Sequence, residues 1–522
     1  MNHSVSGVSP EWHENKMIFV ENLDEKPALV RLECVKKQLI LTGFPRTIFA
    51  TAKRRLQARI RRIKSEIQSH SLNGYAVMFQ SFLSSHFIQS IDPTPRQRSF
   101  GHQTIFWAWL AQILQQNSSC QHALSMIQSW HSHHNLPIPS CDTSSFCRAR
   151  KRLKIDFLHQ IHQHLNKQLN QQTHERLEWK KLRLLAIDAS SVHLLDTPAN
   201  QETYPQPSTQ TPGCGTPVMG ICGLVNLSHG GWETCVSMPH TMSDSKAAIP
   251  IIKQLQQGDL LLGDRAFCTY EIIARSLNQN AHILMRLNGM RQKSLDWENG
   301  KHISPYERQV TWQKPYHSAM AHLNQSEWEA LPATLELRLI KLAFENRAGE
   351  KSDLIVVTTL LDHEQYDGIE LANLYARRWE MEVKLRDLKT TLNMETFAVK
   401  TPEMAEKTLF ITMIAYNLIR ALMLQACRCS EKLTPCEISF SGTVQLAINH
   451  HQRFVNLAGK PRRIKAAWNE IIELCTRNKL LIRPHRQEPR AVKRRPKAYP
   501  LLTKHRSIFQ PIPHQKRYTK NA

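Results

Sequence analysis

The chain has 522 residues, which is too many for a single core and predicts two or three domains. Hydrophobic residues make up 41% of it, so the composition excludes a wholly disordered protein. Sixty-eight Lys and Arg against 44 Asp and Glu leave a net charge of +24. Such an excess is typical of proteins that bind nucleic acid, and a membrane surface is the competing interpretation.

The first 170 residues are predicted to be mostly helical. Thr51–Lys64 has apolar residues at helical spacing and seven basic residues, which indicates either a basic amphipathic helix or a solvated charged face. Short periodic helices follow between residues 102 and 130. Asp142 and Thr143 are the capping candidates for another short basic helix at residues 144–153. This order is compatible with a helix-turn-helix that binds DNA.

From about Leu182 onward the pattern changes to apolar strands that alternate with helices. This alternation predicts a mixed α/β sheet. The expected strands cover residues 181–195, 217–227, 232–238, 258–264 and 282–287, and the expected helices cover residues 243–255 and 269–279.

Residues 288–350 interrupt that rhythm with short alternating stretches, which indicates a β-rich insertion. Core-strand character resumes at residues 352–361. The apolar run at residues 409–424 is interrupted by Asn417 and Arg420, so it favours a buried helix over a membrane span. From Pro484 the tail holds eleven Lys and Arg, six Pro and one acid, and is expected to form an extended arm ordered only by a partner.

The twelve cysteines include no CxxC pair, and the CxC at Cys427 and Cys429 is weak support for zinc. Reduced cysteines in a cytosolic chain are the favoured interpretation. The N-terminal residues lack the apolar segment of a secretory signal. We therefore expect a cytoplasmic protein with no membrane association.

The stretch YARRWEMEVKLRDLK begins at Tyr375 and reads as one charged helix. At about 100° per residue, Tyr375, Arg378, Glu382 and Lys389 share one stripe, whereas Glu380 lies on another face and is expected at the surface. The stripe could be an ordinary ion-paired surface. A carboxylate flanked by cations is also what a phosphodiester site needs, because the acid can hold a metal while Arg and Lys bind phosphate oxygens.

Two strands offer further carboxylates for such a site. Asp188 is expected at the end of one buried strand and Asp264 at the end of another, whereas Asp196 and Asp259 are interpreted as turn and strand-start residues. With Glu382 the two aspartates would form an oxygen-rich site that suits Mg²⁺ or Mn²⁺. Two such ions can promote phosphoryl transfer.

The spacing Y-(2)-R-(3)-E-(6)-K resembles the signature of the DDE transposases of insertion sequence family four. The stretches AIDASSV, with Asp188, and LLGDRAF, with Asp264, are similar to the two aspartate motifs of that family. The β-rich segment before Glu382 and the tail EPRAVKRRPKAYPLLTKHR also resemble family features. The resemblance covers about residues 100–510.

This resemblance implies an α/β fold with a ribonuclease H-like mixed sheet, flanking helices, a β-rich insertion and an α-helical N-terminal domain. It implies cut-and-paste transposition, with two Mg²⁺ ions bound by Asp188, Asp264 and Glu382. Water would nick the transposon end, and the freed 3′-hydroxyl would attack the opposite strand. The resulting hairpin would be reopened before strand transfer into target DNA.

The same resemblance implies DNA contacts for other residues. Tyr375, Arg378 and Lys389 would contact phosphates near the cut. Trp379, together with Trp297 or Trp312, would stack on a flipped base unless these rings pack in the core. Arg265 would clamp phosphate or form a structural ion pair.

The expected domains are a helical DNA-binding domain (1–170), a catalytic core in two parts (180–287 and 351–480), the β-rich insertion (288–350) and a basic extended tail (481–522). The expected partners are the terminal inverted repeats and target DNA. Because transposon ends must be paired, we expect a homodimer in the synaptic complex, acting on DNA in a bacterial cytoplasm. The alternatives are a metal-dependent nuclease that does not transpose and an inactive DNA-binding relic.

Overall fold

The computed structural model describes residues 74–92, 99–116, 118–133, 135–345, 351–430, 432–455, 457–480, 499 and 501–509. The chain divides into two compact units after Glu66, and all of these residues belong to the second unit, Ile67–Ala522. The predicted basic helix Thr51–Lys64 lies outside the described residues.

The part of the chain before the first strand is helical where it is described, as the sequence predicts. Of the two predicted capping candidates, Asp142 is confirmed: it accepts a hydrogen bond from the Ser144 amide at 2.9 Å and caps the fifth helix, whereas Thr143 is the first residue of that helix. The helices are α1 (Tyr75–Met78), α2 (Ser85–Ser90), α3 (His102–Leu114), α4 (Cys120–His133), α5 (Thr143–Arg152) and α6 (Ile155–Gln172).

Strands and helices alternate after residue 180. The strands are β1 (Arg183–Leu194), β2 (Val218–Asn226), β3 (Trp232–Pro239), β4 (Asp259–Gly263), β5 (His282–Arg286), β6 (Lys301–Ser304), β7 (Glu307–Gln313), β8 (Thr334–Glu345), β9 (Lys351–Thr358) and β10 (Thr396–Phe397). The helices between and after them are α7 (Pro198–Thr203), α8 (Asp244–Ile252), α9 (Tyr270–Asn278), α10 (Gly289–Lys293), α11 (Gln325–Glu329), α12 (Gly368–Ala376), α13 (Trp379–Arg386), α14 (Pro402–Arg428), α15 (Phe440–Phe454) and α16 (Pro461–Arg477).

The first five strands form the centre of the sheet in the order β3-β2-β1-β4-β5. The pairs β3-β2 and β2-β1 are antiparallel, whereas β1-β4 and β4-β5 are parallel. Parallel neighbours need a crossover, and the chain between β4 and β5 supplies one in α9. This mixed order is that of the ribonuclease H-like fold, so the predicted fold class is confirmed.

The β-rich segment extends the same sheet rather than forming a separate one. β9 pairs antiparallel with β5, and β8, β7 and β6 follow it outward in that order. β9, which lies between β5 and β8, overlaps the stretch where core-strand character was predicted to resume. The core and the segment at 288–350 therefore share one continuous hydrogen-bonded sheet.

Helices cover both faces of the sheet. Successive residues of β1 point to opposite faces, so they pack into two different hydrophobic cores. Leu184 and Ala186 belong to the core that contains α6 and α14, whereas Leu185 and Ile187 belong to the core that contains α8 and α9. Within the described residues α14 alone is long and apolar enough to cross a membrane, and 89% of its most apolar window is buried inside the protein.

The C-terminal segment 501–509 lies against the loop between α7 and β2. The amides of Leu502 and Arg506 donate to the carbonyls of Cys214 and Gly213, both at 2.9 Å. The Arg506 guanidinium pairs with Asp196. The tail was expected to be ordered only by a partner, so for this segment the expectation is wrong: the chain's own loop supplies the binding surface.

Candidate active site

Asp188 lies within β1, not at its end, because β1 continues to Leu194. The expectation that Asp188 ends its strand is therefore wrong. The strand continues because residues 189–193 still pair with β2, with Asp188 opposite Gly223. The Asp188 Oδ1 atom accepts a hydrogen bond from the Ala189 amide at 2.8 Å.

Asp264 follows directly after β4, as predicted. β1 and β4 are parallel neighbours with Ala186 opposite Leu262, so Asp188 and Asp264 both lie two residues beyond a paired position. The shared register brings the two carboxylates onto the same face of adjacent strands. The Asp264 Oδ1 atom accepts a hydrogen bond from the Ala266 amide at 2.8 Å, which fixes the turn after the strand.

The stretch that begins at Tyr375 is not one continuous helix. Tyr375 lies near the end of α12. Between α12 and α13 the Arg377 amide donates to the Leu374 carbonyl at 2.9 Å, and the Arg378 amide donates to the Tyr375 carbonyl at 3.0 Å. These bonds span three residues instead of the four of an α-helix, and they separate the two helices. A π-helical turn, Asp387–Thr391, follows α13. Turns of this kind often mark functional sites within helices.

Glu382 and Arg378 are joined by an ion pair on α13. The Arg378 Nη2 atom lies 3.2 Å from the Glu382 Oε1 atom. The Arg378 side chain is 13% exposed and that of Glu382 is 43% exposed, so the carboxylate faces solvent while the guanidinium is mostly covered. α13 contacts β1, which brings this pair to the strand that carries Asp188.

Electrostatic interactions connect the three predicted acids. Burial raises the pKa of Asp188 to about 6, and the negative charges of Asp264 and Glu382 act in the same direction. The Ala189 amide and Arg378 oppose the rise by favouring the ionised form. A carboxyl group whose pKa is raised by nearby acids is typical of a site that accepts a cation.

The other predicted cation, Lys389, lies in the π-helical turn. Lys389, Glu382 and Ser190 line a cavity of about 270 Å³ between β1 and α13. The predicted stripe therefore stays together at Glu382 and Lys389 even though the helix changes its geometry between them.

Tyr375 is buried, and burial raises the pKa of its phenol to about 12. The Arg378 guanidinium opposes that rise through its charge and a side-chain hydrogen bond. Tyr375 thus contacts Arg378 from the protein interior, and the Tyr375 side chain is itself almost completely buried.

Glu380 was expected at the surface, and that expectation is wrong. Its Oε1 atom lies 2.8 Å from the Arg377 Nε atom, and its Oε2 atom accepts a hydrogen bond from the Cys436 thiol at 2.9 Å. The angle around the helix correctly separated Glu380 from Glu382. It could not show that the loop carrying Cys436 covers that other face.

Trp379 is 62% exposed beside Arg378, whose guanidinium carbon lies 5.4 Å from the ring centroid. This position excludes the core-packing alternative for Trp379. Trp312 is buried under the Arg291 guanidinium, 3.8 Å from the ring centroid, and Trp297 lies close to Arg308 and Lys341. Arg265 is exposed directly after Asp264.

Three neighbours of the acids were missed from the sequence. Asp244, at the start of α8, interacts electrostatically with Asp264; burial raises the pKa of Asp244, and Asp264 adds to the rise. His240 opposes that rise. Arg286, at the end of β5, acts on Tyr375. Sequence spacing offers no signal for them, since they reach the site only through the strand order.

Carboxylate oxygens are the donors that hard divalent cations prefer, so the chemistry of Asp188, Asp264 and Glu382 fits such a cation. In the described part of the chain, however, no three His, Cys, Asp or Glu side chains are already arranged around a common metal position. One reason is visible at Glu382, which is engaged by Arg378. The three carboxylates therefore offer suitable donor atoms that do not already surround one position.

A cavity larger than the one beside Glu382 lies elsewhere. It has a volume of about 930 Å³ and surrounds the ion pair of Arg183 and Asp259. These two residues begin β1 and β4, so the cavity lies at the other end of these strands from Asp188 and Asp264. Asp259 begins β4 and Asp196 lies in the turn after β1, as the sequence predicted. Cavity size therefore does not identify the acidic site; the strand register does.

A family model described as a transposase DDE domain matches residues 179–418 of this chain. The transposase InsG of insertion sequence element IS4 from Escherichia coli (strain K12) is 26% identical over 372 residues, covering 70% of this chain and 80% of that protein. The transposase of insertion sequence element IS421 from Escherichia coli is 29% identical over 70 residues, covering 13% of this chain and 19% of that protein.

Among solved structures, the piggyBac transposase synaptic complex with hairpin DNA aligns over 76% of this chain and 84% of that chain, with 8% identity and a TM-score of 0.38. This likeness is too weak to support an argument. The ribonuclease H-like assignment therefore depends on the strand order given above.

The matched segment begins just before β1 and ends within α14, so it contains both strand aspartates and the whole tyrosine-to-lysine signature. DDE transposases generally use divalent metal ions, in agreement with the oxygen donors found here. Residues 179–418 therefore match a transposase DDE domain, and the chain is similar over 70% of its length to a transposase of insertion sequence element IS4, in agreement with the predicted resemblance to the DDE transposases of insertion sequence family four.

Proposed function

We propose that this transposase moves its element by cut-and-paste transposition, with Asp188, Asp264 and Glu382 as the catalytic carboxylates. The observation that carries the proposal is the register of β1 with β4, which aligns the two aspartates on one face beside α13. Asp259, in contrast, is held in an ion pair with Arg183 away from this edge.

The three carboxylates would hold two divalent ions, Mg²⁺ in the cell and Mn²⁺ as a substitute. When bound, such a pair supplies activation of the attacking oxygen and stabilisation of the leaving oxygen. The chain's own contribution is to fix the acids on two adjacent strands and one helix. That rigid support orients the donors without loop rearrangement at Asp188.

The surrounding cations would bind the DNA backbone. Arg378 offers a planar fork to a phosphate, and Lys389 offers a point charge from the same cavity as Glu382. Tyr375 holds Arg378 in place, and Arg265 is exposed beside the second aspartate. These residues would position the scissile phosphate over the acids.

The proposed reaction begins with attack of water on the phosphodiester at the transposon end. The freed 3′-hydroxyl attacks the opposite strand to form a hairpin, which water reopens before the 3′-hydroxyl attacks target DNA. Each step breaks one P–O bond as another forms. The exposed ring of Trp379 beside Arg378 supports a role in stacking on an unpaired base near the hairpin.

We further propose that the domain boundaries follow those expected from the sequence. The helical region within residues 1–170 would bind the terminal inverted repeats, and α5 presents Arg148, Lys151 and Arg152 on its exposed side. A homodimer would pair the two ends in the synaptic complex. The enzyme would act on DNA in the bacterial cytoplasm.

The test is a reaction of the purified protein with DNA that carries the element's own paired ends, Mg²⁺ and a target plasmid. We expect excised element, a hairpin-ended species and joined product, all lost in Asp188→Asn and Asp264→Asn. Cleavage without joined product would indicate the nuclease alternative. Binding without cleavage by the parent would indicate the inactive relic.

A further inference from the structure

Arg378 is in direct contact with Glu382, one of the proposed catalytic acids. It lies 3.2 Å from Glu382 and also interacts with Asp188, so it faces two of the three carboxylates at once. Its side chain is 13% exposed. The guanidinium therefore lies among the acids rather than out in solvent.

The contacts of this guanidinium are incomplete. Its Nε atom is buried, and no described residue accepts its hydrogen bond. A buried donor without an acceptor costs about 1–3 kcal/mol. The negative charge of the acids offsets part of that cost, and a group offering both charge and several acceptor oxygens would bind Arg378 better.

A DNA phosphate is such a group, because its oxygens can accept two parallel hydrogen bonds from a guanidinium. The neighbouring Trp379 is exposed, so DNA can reach this side of α13. A divalent cation, in contrast, would compete with Arg378 for the Glu382 carboxylate. The two positive groups repel each other as well.

Resting on the proposed function of the three acids, we propose that Arg378 holds the metal position in the DNA-free enzyme and leaves it when a DNA phosphate binds. The guanidinium neutralises the acids while no DNA is present and keeps Glu382 away from a metal. Phosphate binding then frees Glu382. Metal binding and DNA binding are coupled, and by linkage each strengthens the other.

The arrangement of the donors supports this coupling. The acids have the chemistry of a metal site, yet no three described candidate ligands already surround one position. Asp188 and Asp264 are fixed by their strands and by amide hydrogen bonds. Glu382 lies on a helix and its side chain is 43% exposed. It is therefore the proposed ligand that a single neighbouring side chain can keep from binding a metal ion.

The coupling has a consequence for the DNA-free enzyme. A metal ion bound without DNA could direct hydrolysis at any phosphodiester that approached. With Arg378 in place, the metal site is completed only when a phosphate occupies the position that Arg378 recognises. The device would restrict cleavage to correctly seated DNA.

The test measures Mn²⁺ binding to the DNA-free full chain by electron paramagnetic resonance of free Mn²⁺. We expect Arg378→Gln to bind Mn²⁺ at least tenfold more tightly than the parent. The matched control is Arg377→Gln, which removes the neighbouring guanidinium that pairs with Glu380 and the Leu227 carbonyl, and should leave Mn²⁺ affinity unchanged. Equal affinity of parent and Arg378→Gln would overturn the coupling.

A double variant separates this inference from the proposed function. Adding Glu382→Gln to Arg378→Gln should remove the gained Mn²⁺ affinity; if the gain survives, the ligand assignment itself is wrong. Should Arg378→Gln fold poorly, Arg378→Lys keeps a cation with a different reach. We then expect parent Mn²⁺ affinity to rise at least tenfold with the transposon-end duplex, and the rise to be smaller in Arg378→Lys. No rise in the parent would overturn the coupling.

Discussion

Two glutamates that are two residues apart on α13 have different environments, and this contrast separates their roles at the scale of single residues. Glu382 is 43% exposed and faces Asp188 through Arg378, whereas Glu380 is held by Arg377 and Cys436. The same side chain is thus available to a cation at one position and used for packing at the other.

Replacing Glu382 with Gln is expected to lower DNA cleavage by at least about 100-fold, because even groups that only orient metal ligands typically contribute 10–100-fold. The amide keeps the size of the side chain but loses its charge. Cleavage rates of the folded protein with Mg²⁺ check this prediction.

Glu380→Gln is the matched comparison. It breaks the pair with Arg377 and should lower the melting temperature while cleavage by the folded protein persists. Loss of cleavage in Glu380→Gln with unchanged melting, or full cleavage in Glu382→Gln, would reverse the assignment of the two glutamates.

Close packing between β2 and β3 supports Asp188 at the scale of secondary-structure elements. Gly223 pairs with Asp188 across the sheet, and a Cβ atom at Gly223 would lie 2.3 Å from the Cζ3 atom of Trp232. The Trp232 ring is fully buried, so it has little room to move. The glycine allows the ring to cover the strand directly beside the acid.

Gly223→Ala is therefore expected to destabilise the protein by about 1–3 kcal/mol, the usual cost of forcing an extra methyl group into a packed core. Thermal unfolding followed by circular dichroism measures the effect. Gly289→Ala is the control, because nothing lies within 4 Å of a Cβ atom there. Equal melting of Gly223→Ala and the parent would show that Trp232 can shift.

A polar contact between α6 and α14 makes the fold sensitive to acid. His162 is buried on α6, and its Nε2 atom lies 3.5 Å from the Asn417 Nδ2 atom on α14. Burial lowers the pKa of His162 to about 4, from an ordinary value of 6.5. The folded protein therefore keeps this ring neutral at a pH where the unfolded chain would protonate it.

As the pH falls from 6.5 towards 4, protons bind the unfolded state first, so His162 should remove roughly 3 kcal/mol of stability over that window. The melting temperature should drop between pH 7 and pH 5, and the drop should be smaller in His162→Gln. His122→Gln, an exposed histidine on α4, is the control. An unchanged drop in His162→Gln would exclude this residue as a cause.

The C-terminal segment joins distant parts of the second unit at the scale of the whole molecule. Arg506 contacts Asp196, Gln206 and the Gly215 carbonyl, all on the side of the sheet where β1 ends. Part of a basic, proline-rich tail is thus held by the catalytic core. The composition of the tail indicated no such docking.

Arg506→Ala should release this segment. The amides of Leu502 and Arg506, which donate to Cys214 and Gly213, are expected to exchange with deuterium faster than in the parent, by at least about tenfold if about 1.4 kcal/mol of local stability is lost. Lys504→Ala is the matched control on the exposed side. Equal exchange in parent and Arg506→Ala would show that backbone contacts alone hold the tail.

The sequence by itself determined the elements and the chemical types of the site residues. The alternation of strands and helices, the Asp142 cap and the tyrosine-to-lysine spacing depend on neighbours within a few residues, and their periodicity is visible in the chain. Family resemblance then assigned the fold and the activity, which the strand order and the comparisons support.

Only the tertiary structure decided the relations between distant residues. Strand register and helix packing produce the alignment of Asp188 with Asp264, the partial burial of Glu380, the placement of Arg378 among the acids and the continuation of the sheet into β9. A register is selected by the total burial and hydrogen bonding of whole strands, which no short stretch encodes. The sequence could therefore name the acids, and the fold had to bring them together.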